Sequence, residues 1–187
     1  PRALTFEELG VPDFICRSLH RRGIDEPFAI QRVAIADIMQ GNDVCGAAPT
    51  GSGKTLAFGI PLVAMTRKGS PRRPTSLVLS PTRELADQIA SEMQPLSNRT
   101  SITTVYGGVA YGKQVNALKH GTDILVACPG RLEDLMESGT VVLDDIERVV
   151  IDEADRMADM GFLPAVRRIL DATTSRTQTI LFSATLD

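Results

Sequence analysis

Short runs of branched apolar residues recur along the chain, and each ends in glycine or polar residues. They are Val44-Cys45-Gly46-Ala47, Leu77-Val78-Leu79, Ile102 to Val105, Ile124-Leu125-Val126, Val149-Val150-Ile151 and Ile180-Leu181-Phe182. Continuous rather than alternating apolar positions predict strands buried on both faces, the pattern of a parallel sheet. The stretches between them follow helical spacing. Leu85, Ile89 and Met93 stand at i, i+4 and i+8, and Phe162, Val166, Ile169 and Leu170 share a face from which Arg167 and Arg168 point away. Strands interleaved with helices predict an α/β fold: a mostly parallel central sheet with helices on both faces. Ligands of such sheets bind beyond the carboxyl ends of the strands.

The segments at the strand exits therefore make up the functional inventory. The first strand runs into Ala48-Pro49-Thr50-Gly51-Ser52-Gly53-Lys54-Thr55, then into a helical stretch from Leu56 to Met65. This order fits a phosphate-cradling loop, in which backbone N–H groups wrap phosphates, Lys54 reaches the outer ones and the Thr55 hydroxyl binds Mg²⁺. Its first position carries Ala48 where the strict pattern has glycine. After the fifth strand come Asp152-Glu153-Ala154-Asp155, two adjacent carboxylates where a metal ion and a water can meet a phosphate. The other strands lead into Pro81-Thr82-Arg83-Glu84-Leu85, Gly107-Gly108, Pro129-Gly130-Arg131 and Ser183-Ala184-Thr185. Read singly these are ordinary: a helix start with Ser80 as its cap and Pro81 at its first position, a turn, and hydroxyls satisfied by local backbone.

Composition narrows the picture. With 187 residues, 43% of them hydrophobic, the chain fits one compact domain. A net charge of -3 argues against a domain that coats nucleic acid, so any polyanion must be held by a local group of cations. Cys16, Cys45 and Cys128 are widely separated, with no zinc spacing or disulfide framework, which suits a reducing, cytoplasmic setting. No apolar stretch is long enough to span a membrane. The basic stretch Thr66 to Pro74 reads as a solvated loop joining helix to strand, or else as a loop that touches RNA or a partner. A chain that opens on Pro1 reads as a piece of a longer protein.

Together these segments resemble the first core domain of the DEAD-box RNA helicases, whose name spells Asp152 to Asp155. The resemblance covers essentially the whole chain, with the motifs in the family's order. It implies a RecA-like P-loop fold for residues 1–187 as one ATP-binding domain. Residues 1–31 would form an extension carrying the adenine-reading Q motif, Gly23-Ile24-Asp25-Glu26-Pro27-Phe28-Ala29-Ile30-Gln31, with Phe6 as its upstream aromatic. In this family alanine is usual at the position of Ala48. Gln31 would read the adenine edge and Phe6 would pack on the ring. Thr50, Gly51, Ser52, Gly53, Lys54 and Thr55 would hold ATP; Thr55 and Asp152 would position Mg²⁺, partly through water; Glu153 would orient and deprotonate the attacking water. Pro81, Thr82, Arg83, Gly107, Gly108, Pro129, Gly130 and Arg131 would grip RNA through sugar and phosphate, without reading sequence. Asp155, Ser183 and Thr185 would pass the nucleotide state to the RNA face. A second, similar core domain, absent from this chain, would supply the arginine fingers. The domain is expected to be monomeric and, alone, nearly inactive.

Three departures stand out. Cys128 replaces the usual Thr before Pro-Gly-Arg, Ile24 stands where Phe is commoner, and Phe28-Ala29 where Thr-Pro is commoner. Two other classes compete: a nucleotide sensor or RNA clamp without turnover, against which Glu153 argues, and a related ATPase acting on DNA, against which the adenine segment and Asp155 argue.

Overall fold

The structure, a computed structural model, describes residues 3–49 and 53–184. All six predicted runs are strands: β1 (Val44–Ala47), β2 (Ser76–Leu79), β3 (Ile102–Val105), β4 (Ile124–Ala127), β5 (Arg148–Ile151) and β6 (Gln178–Ser183). They form one sheet in the order β1-β6-β5-β2-β4-β3, with every pairing parallel. The sheet is thus wholly rather than mostly parallel. Its strands alternate their side chains between two cores. Val78, Val126, Val150, Ile180 and Phe182 face one; Leu77, Leu79, Leu125, Ala127, Val149 and Ile151 face the other. The inner strands are covered on both faces, which is why their runs read as continuous rather than alternating, whereas the edge strand β1 leaves Cys45 and Ala47 exposed.

The first face is covered by α1 (Asp13–Arg21), α2 (Ala29–Met39), α3 (Lys54–Met65) and α4 (Arg83–Met93). On the second lie α5 (Tyr111–His120), α6 (Pro129–Glu137), α7 (Ala154–Asp159) and α8 (Leu163–Ala172). Helix α3 starts at Lys54, two residues before the apolar stretch that signals it, and is buried from Lys54 to Val63. An apolar surface all round suits a helix enclosed by its neighbours. The cap of α4 differs from expectation. Ser80 is still paired to the sheet through its N–H and Ala127 O, so it is unavailable as a cap. Thr82 Oγ1 accepts the Leu85 N–H at 3.2 Å instead, and the helix begins at Arg83.

At the amino ends of the strands the basic loop between α3 and β2 is tied down. Arg67 pairs with Glu147, and Arg73 forks the Asp145 carboxylate at 2.9 and 3.0 Å. Buried Asp123 accepts the backbone N–H groups of Gly69 (2.7 Å) and Ser101 (2.8 Å). A Cβ at Gly69 would lie 2.4 Å from Thr122 O, so only glycine allows that approach. These cations are spent on intramolecular partners at the edge opposite the motif segments, as the solvated-connector reading requires and the RNA-contact reading does not.

Candidate functional site

The motif segments meet at the carboxyl edge. Lys54, the first residue of α3, reaches across to β5, where its Nζ lies 3.0 Å from Asp152 Oδ1 and 3.6 Å from Glu153 Oε2. Asp152 is fully buried, and its Oδ2 has no hydrogen-bond partner among the described residues. Burial pushes the Asp152 carboxyl above its ordinary pKa, and the Lys54 ammonium offsets part of the rise. A buried acceptor without a donor is costly unless something else supplies the positive charge. Glu153 sits at φ 53°, a left-handed conformation unusual outside glycine, and caps α7 from there. That turn swings its carboxylate back toward Lys54, while Arg156 Nη1 holds its other oxygen at 3.7 Å.

Gln31 closes the same site from α2. Its Oε1 accepts the Phe28 N–H at 2.8 Å and its Nε2 donates to Gly53 O at 3.1 Å, which ties the start of α2 to the start of α3. Gly53 has φ 82°, and a Cβ there would lie 2.5 Å from Gln31 Nε2 and 2.8 Å from the Phe28 ring. Phe28 lies 60% exposed at the rim of a cavity of about 250 Å³ bounded also by Gly53, Lys54, Thr55 and Glu153. Phe6 is placed elsewhere. It is buried at 2% exposure and lines a separate hollow with Ile24, His20 and Asp25. Thr50, Gly51, Ser52 and Thr185 lie outside the described residues.

The end of β6 is in contact with the carboxylate box. Asp155 N–H donates to Ser183 Oγ at 3.3 Å. Desolvation raises the Asp155 carboxyl, yet hydrogen bonds from Ser183 and from the backbone of Arg156 and Ala184 bring it below the usual range.

Toward the β4–β3 side the other segments gather. Gly108, at φ 83°, lies beside Arg83: a Cβ on it would be 3.5 Å from Arg83 Nη1. Two features here were not legible in the sequence. The Arg83 guanidinium lies 5.9 Å over the Tyr106 ring and Arg131 lies 5.1 Å over Tyr111. Tyr106 Oη donates to Asp87 at 2.8 Å, and Gln114 is hydrogen-bonded to both Tyr106 O and Arg131. Pro81 and Pro129 are buried at the helix starts, whereas Gly107, Gly108 and Gly130 are exposed. Cys128 is half-buried, and burial with the Glu84 and Asp87 charges pushes its thiol up to about 11.

A parallel α/β sheet whose carboxyl edge gathers a lysine, two carboxylates and, toward β3, two arginines has the layout of a RecA-like domain. The comparisons make the class specific. A family model described as DEAD/DEAH box helicase matches residues 28–187, and the chain belongs to that family. It is 42% identical to the DEAD-box ATP-dependent RNA helicase 3B, chloroplastic, of Zea mays, over 98% of this chain and 26% of that protein. It is also 42% identical to the ATP-dependent RNA helicase DeaD of Haemophilus influenzae, over 98% of this chain and 30% of that one. A DEAD box protein from the hyperthermophile Methanococcus jannaschii superposes with a TM-score of 0.92 at 35% identity, covering 99% of this chain and 51% of that chain. The chain thus spans about a quarter to a third of these curated relatives.

Proposed function

We propose that this chain is the ATP-binding first core domain of an ATP-dependent RNA helicase, coupling ATP binding and hydrolysis to RNA unwinding or remodelling when joined to a second core domain. The observation that carries this reading is the buried Asp152, whose one oxygen holds Lys54 while the other is left without a donor. Such a carboxylate fits a divalent cation. Among the described residues no cluster of three or more metal-ligating side chains exists, which suits Mg²⁺ held by a carboxylate, the Thr55 hydroxyl, water and nucleotide phosphates. The bound ion would neutralise charge developing between the outer phosphates.

The chain's own residues do the rest. Lys54 exchanges its carboxylate partners for phosphate oxygens, and the helix α3 start presents N–H groups to the same anion. Glu153, held by Arg156, is aimed to accept a proton from a water on the far side of the outer phosphate. Gln31, already fixed to Gly53, joins base recognition to the phosphate loop, and Phe6, which lines the hollow beside Ile24, is the aromatic that would pack on the adenine ring. Arg83, Gly107, Gly108 and Arg131, with Pro81, Thr82, Pro129 and Gly130 shaping the turns, offer sequence-independent contacts to RNA sugar and phosphate. Asp155 and Ser183 connect the two halves of the edge. No helix among the described residues is long and apolar enough to cross a membrane, and a monomeric, cytoplasmic domain fits this reading.

Two measurements test it. ADP with Mg²⁺ should bind this chain far better than GDP, because guanine reverses the donor and acceptor pattern; equal affinities would refute the adenine assignment. ATP turnover by this chain should be negligible with or without RNA, since an arginine finger from the second domain is worth about 10³–10⁵ in rate. The longer protein should show RNA-stimulated hydrolysis that Glu153→Gln abolishes while ATP binding persists. Robust RNA-stimulated turnover by residues 1–187 alone would sink the half-site reading.

A further inference from the structure

Resting on the reading that the Arg83, Gly107-Gly108 and Arg131 edge holds RNA, we propose that Gln114 is the positioning residue that sets this edge. Gln114 lies on α5, only 6% exposed, and both ends of its amide are used on opposite kinds of partner. Its Nε2–H donates at 3.0 Å to Tyr106 O, the last carbonyl before the glycine turn. Its Oε1 accepts from Arg131 Nη1 at 3.1 Å. One buried side chain therefore fixes the distance between the turn after β3 and the start of α6.

Each partner is braced a second time. Arg131 lies 5.1 Å over the Tyr111 ring, and the Tyr111 hydroxyl meets Ser138 Oγ at 3.3 Å, at the far end of α6. Tyr106 lies under Arg83 at 5.9 Å and donates through Oη to Asp87 on α4 at 2.8 Å. A continuous chain of contacts runs from α4 through the β3 turn and α5 to α6, and Gln114 is its central link. A long arginine side chain held in one place before a phosphate arrives loses less freedom on binding. Only an amide serves both partners: a carboxylate cannot donate to Tyr106 O, and an apolar chain of similar length strands a carbonyl and a guanidinium N–H.

The test uses this chain, a fluorescently labelled oligouridylate followed by anisotropy at low salt, and Mg²⁺-ADP followed by calorimetry. Gln114→Met is expected to weaken RNA binding about 3–10-fold and to lower the salt slope by up to about 0.7, one phosphate contact, with ADP affinity unchanged. In an Arg131→Ala background the same substitution is expected to add less than about 2-fold, because its effect runs through Arg131. Gln114→Glu, which keeps the Arg131 pair but loses the donor to Tyr106 O and sets a carboxylate against that carbonyl, should also weaken RNA binding, by about 2–5-fold with ADP affinity unchanged, and it carries the test if the methionine variant does not fold, an unchanged RNA affinity then overturning the proposal. Unchanged RNA affinity in Gln114→Met, full additivity with Arg131→Ala, or an equal loss of ADP binding would each overturn the proposal. If Arg131→Ala itself leaves RNA binding intact, the RNA reading of this edge fails and takes the proposal with it; a weakened Arg131→Ala beside an unaffected Gln114→Met sinks the proposal alone.

Discussion

The two edges of the sheet are made from the same residue types and left in opposite states. At the amino edge the buried and loop-tying polar groups are paired: Asp123 takes two backbone N–H groups, Arg73 forks Asp145, and Gln178 donates to Ile38 O and Asn42 O while accepting from Arg148. At the carboxyl edge Asp152 keeps an oxygen without a donor, Glu153 is held in a left-handed turn, and Arg83 and Arg131 rest on tyrosine faces rather than on carboxylates. Charge density does not separate these edges. The difference lies in whether the hydrogen-bonding capacity is used up, and unused capacity in a buried place is what a ligand can complete.

If that contrast is right, substitutions at the two edges fail in different assays. Asp123→Ala removes a buried acceptor from two half-buried N–H groups and should cost about 1–3 kcal/mol of unfolding free energy in urea titrations, with the affinity of the folded fraction for ADP unaltered. Lys54→Ala should do the reverse. It removes a charge-assisted contact to phosphate, which corresponds to about 10–100-fold in Mg²⁺-ADP affinity by calorimetry. Stability should change less, since the Asp152 carboxyl, already raised by burial, can take up a proton. An ADP defect in Asp123→Ala, or none in Lys54→Ala, would break the division.

Asp145 and Asp152 should also carry opposite pH signatures. The Arg73 hydrogen bond and charge hold Asp145 below the usual aspartate range, so its contribution is present above the unfolded pKa and fades as pH falls through the lowered folded one. For Asp152, raised by burial, the sign reverses: its contribution is complete below the unfolded pKa and is lost as pH rises through the folded one. Stability curves against pH should therefore lose part of their acid limb in Asp145→Asn and part of their decline toward neutrality in Asp152→Asn. The same slope in both variants would contradict the assignment.

Smaller effects concern the thiols. Exposed Cys45 should be alkylated first at neutral pH, whereas burial, the larger cause, holds the Cys16 and Cys128 thiols at about 11 and keeps them slow. Mass spectrometry after iodoacetamide would show the order. Cys128→Thr, which restores a hydroxyl beside the start of α6, should strengthen RNA binding by no more than about a few-fold.

Much of the fold and site was legible in the sequence because it depends on local pattern. The six strands come from runs that fill both faces, and Lys54, Asp152 and Glu153 stand out by their places at strand exits. Other parts were not legible. Ser80 reads as the cap from local pattern, and only the extra rung from Ser80 to Ala127 O passes that role to Thr82. Gln114 resembles any surface amide until α5 turns it inward, and the tyrosine faces under Arg83 and Arg131 are contacts between separate elements. Phe6, assigned by resemblance, shows the converse: its aromatic type suits a ring partner, yet the fold gives it a place in the first core.

The parallel topology also dictates when the site can exist. Strand β1 has no neighbour but β6, and Lys54 finds Asp152 roughly 100 residues further along; at synthesis rates of ~5–20 residues per second these partners emerge about 5–20 s apart. Until then the phosphate-loop strand lacks its sheet partner and the lysine its carboxylate. A chain truncated before β5 is therefore expected not to retain nucleotide, and one extended through Ser183 is expected to gain that ability.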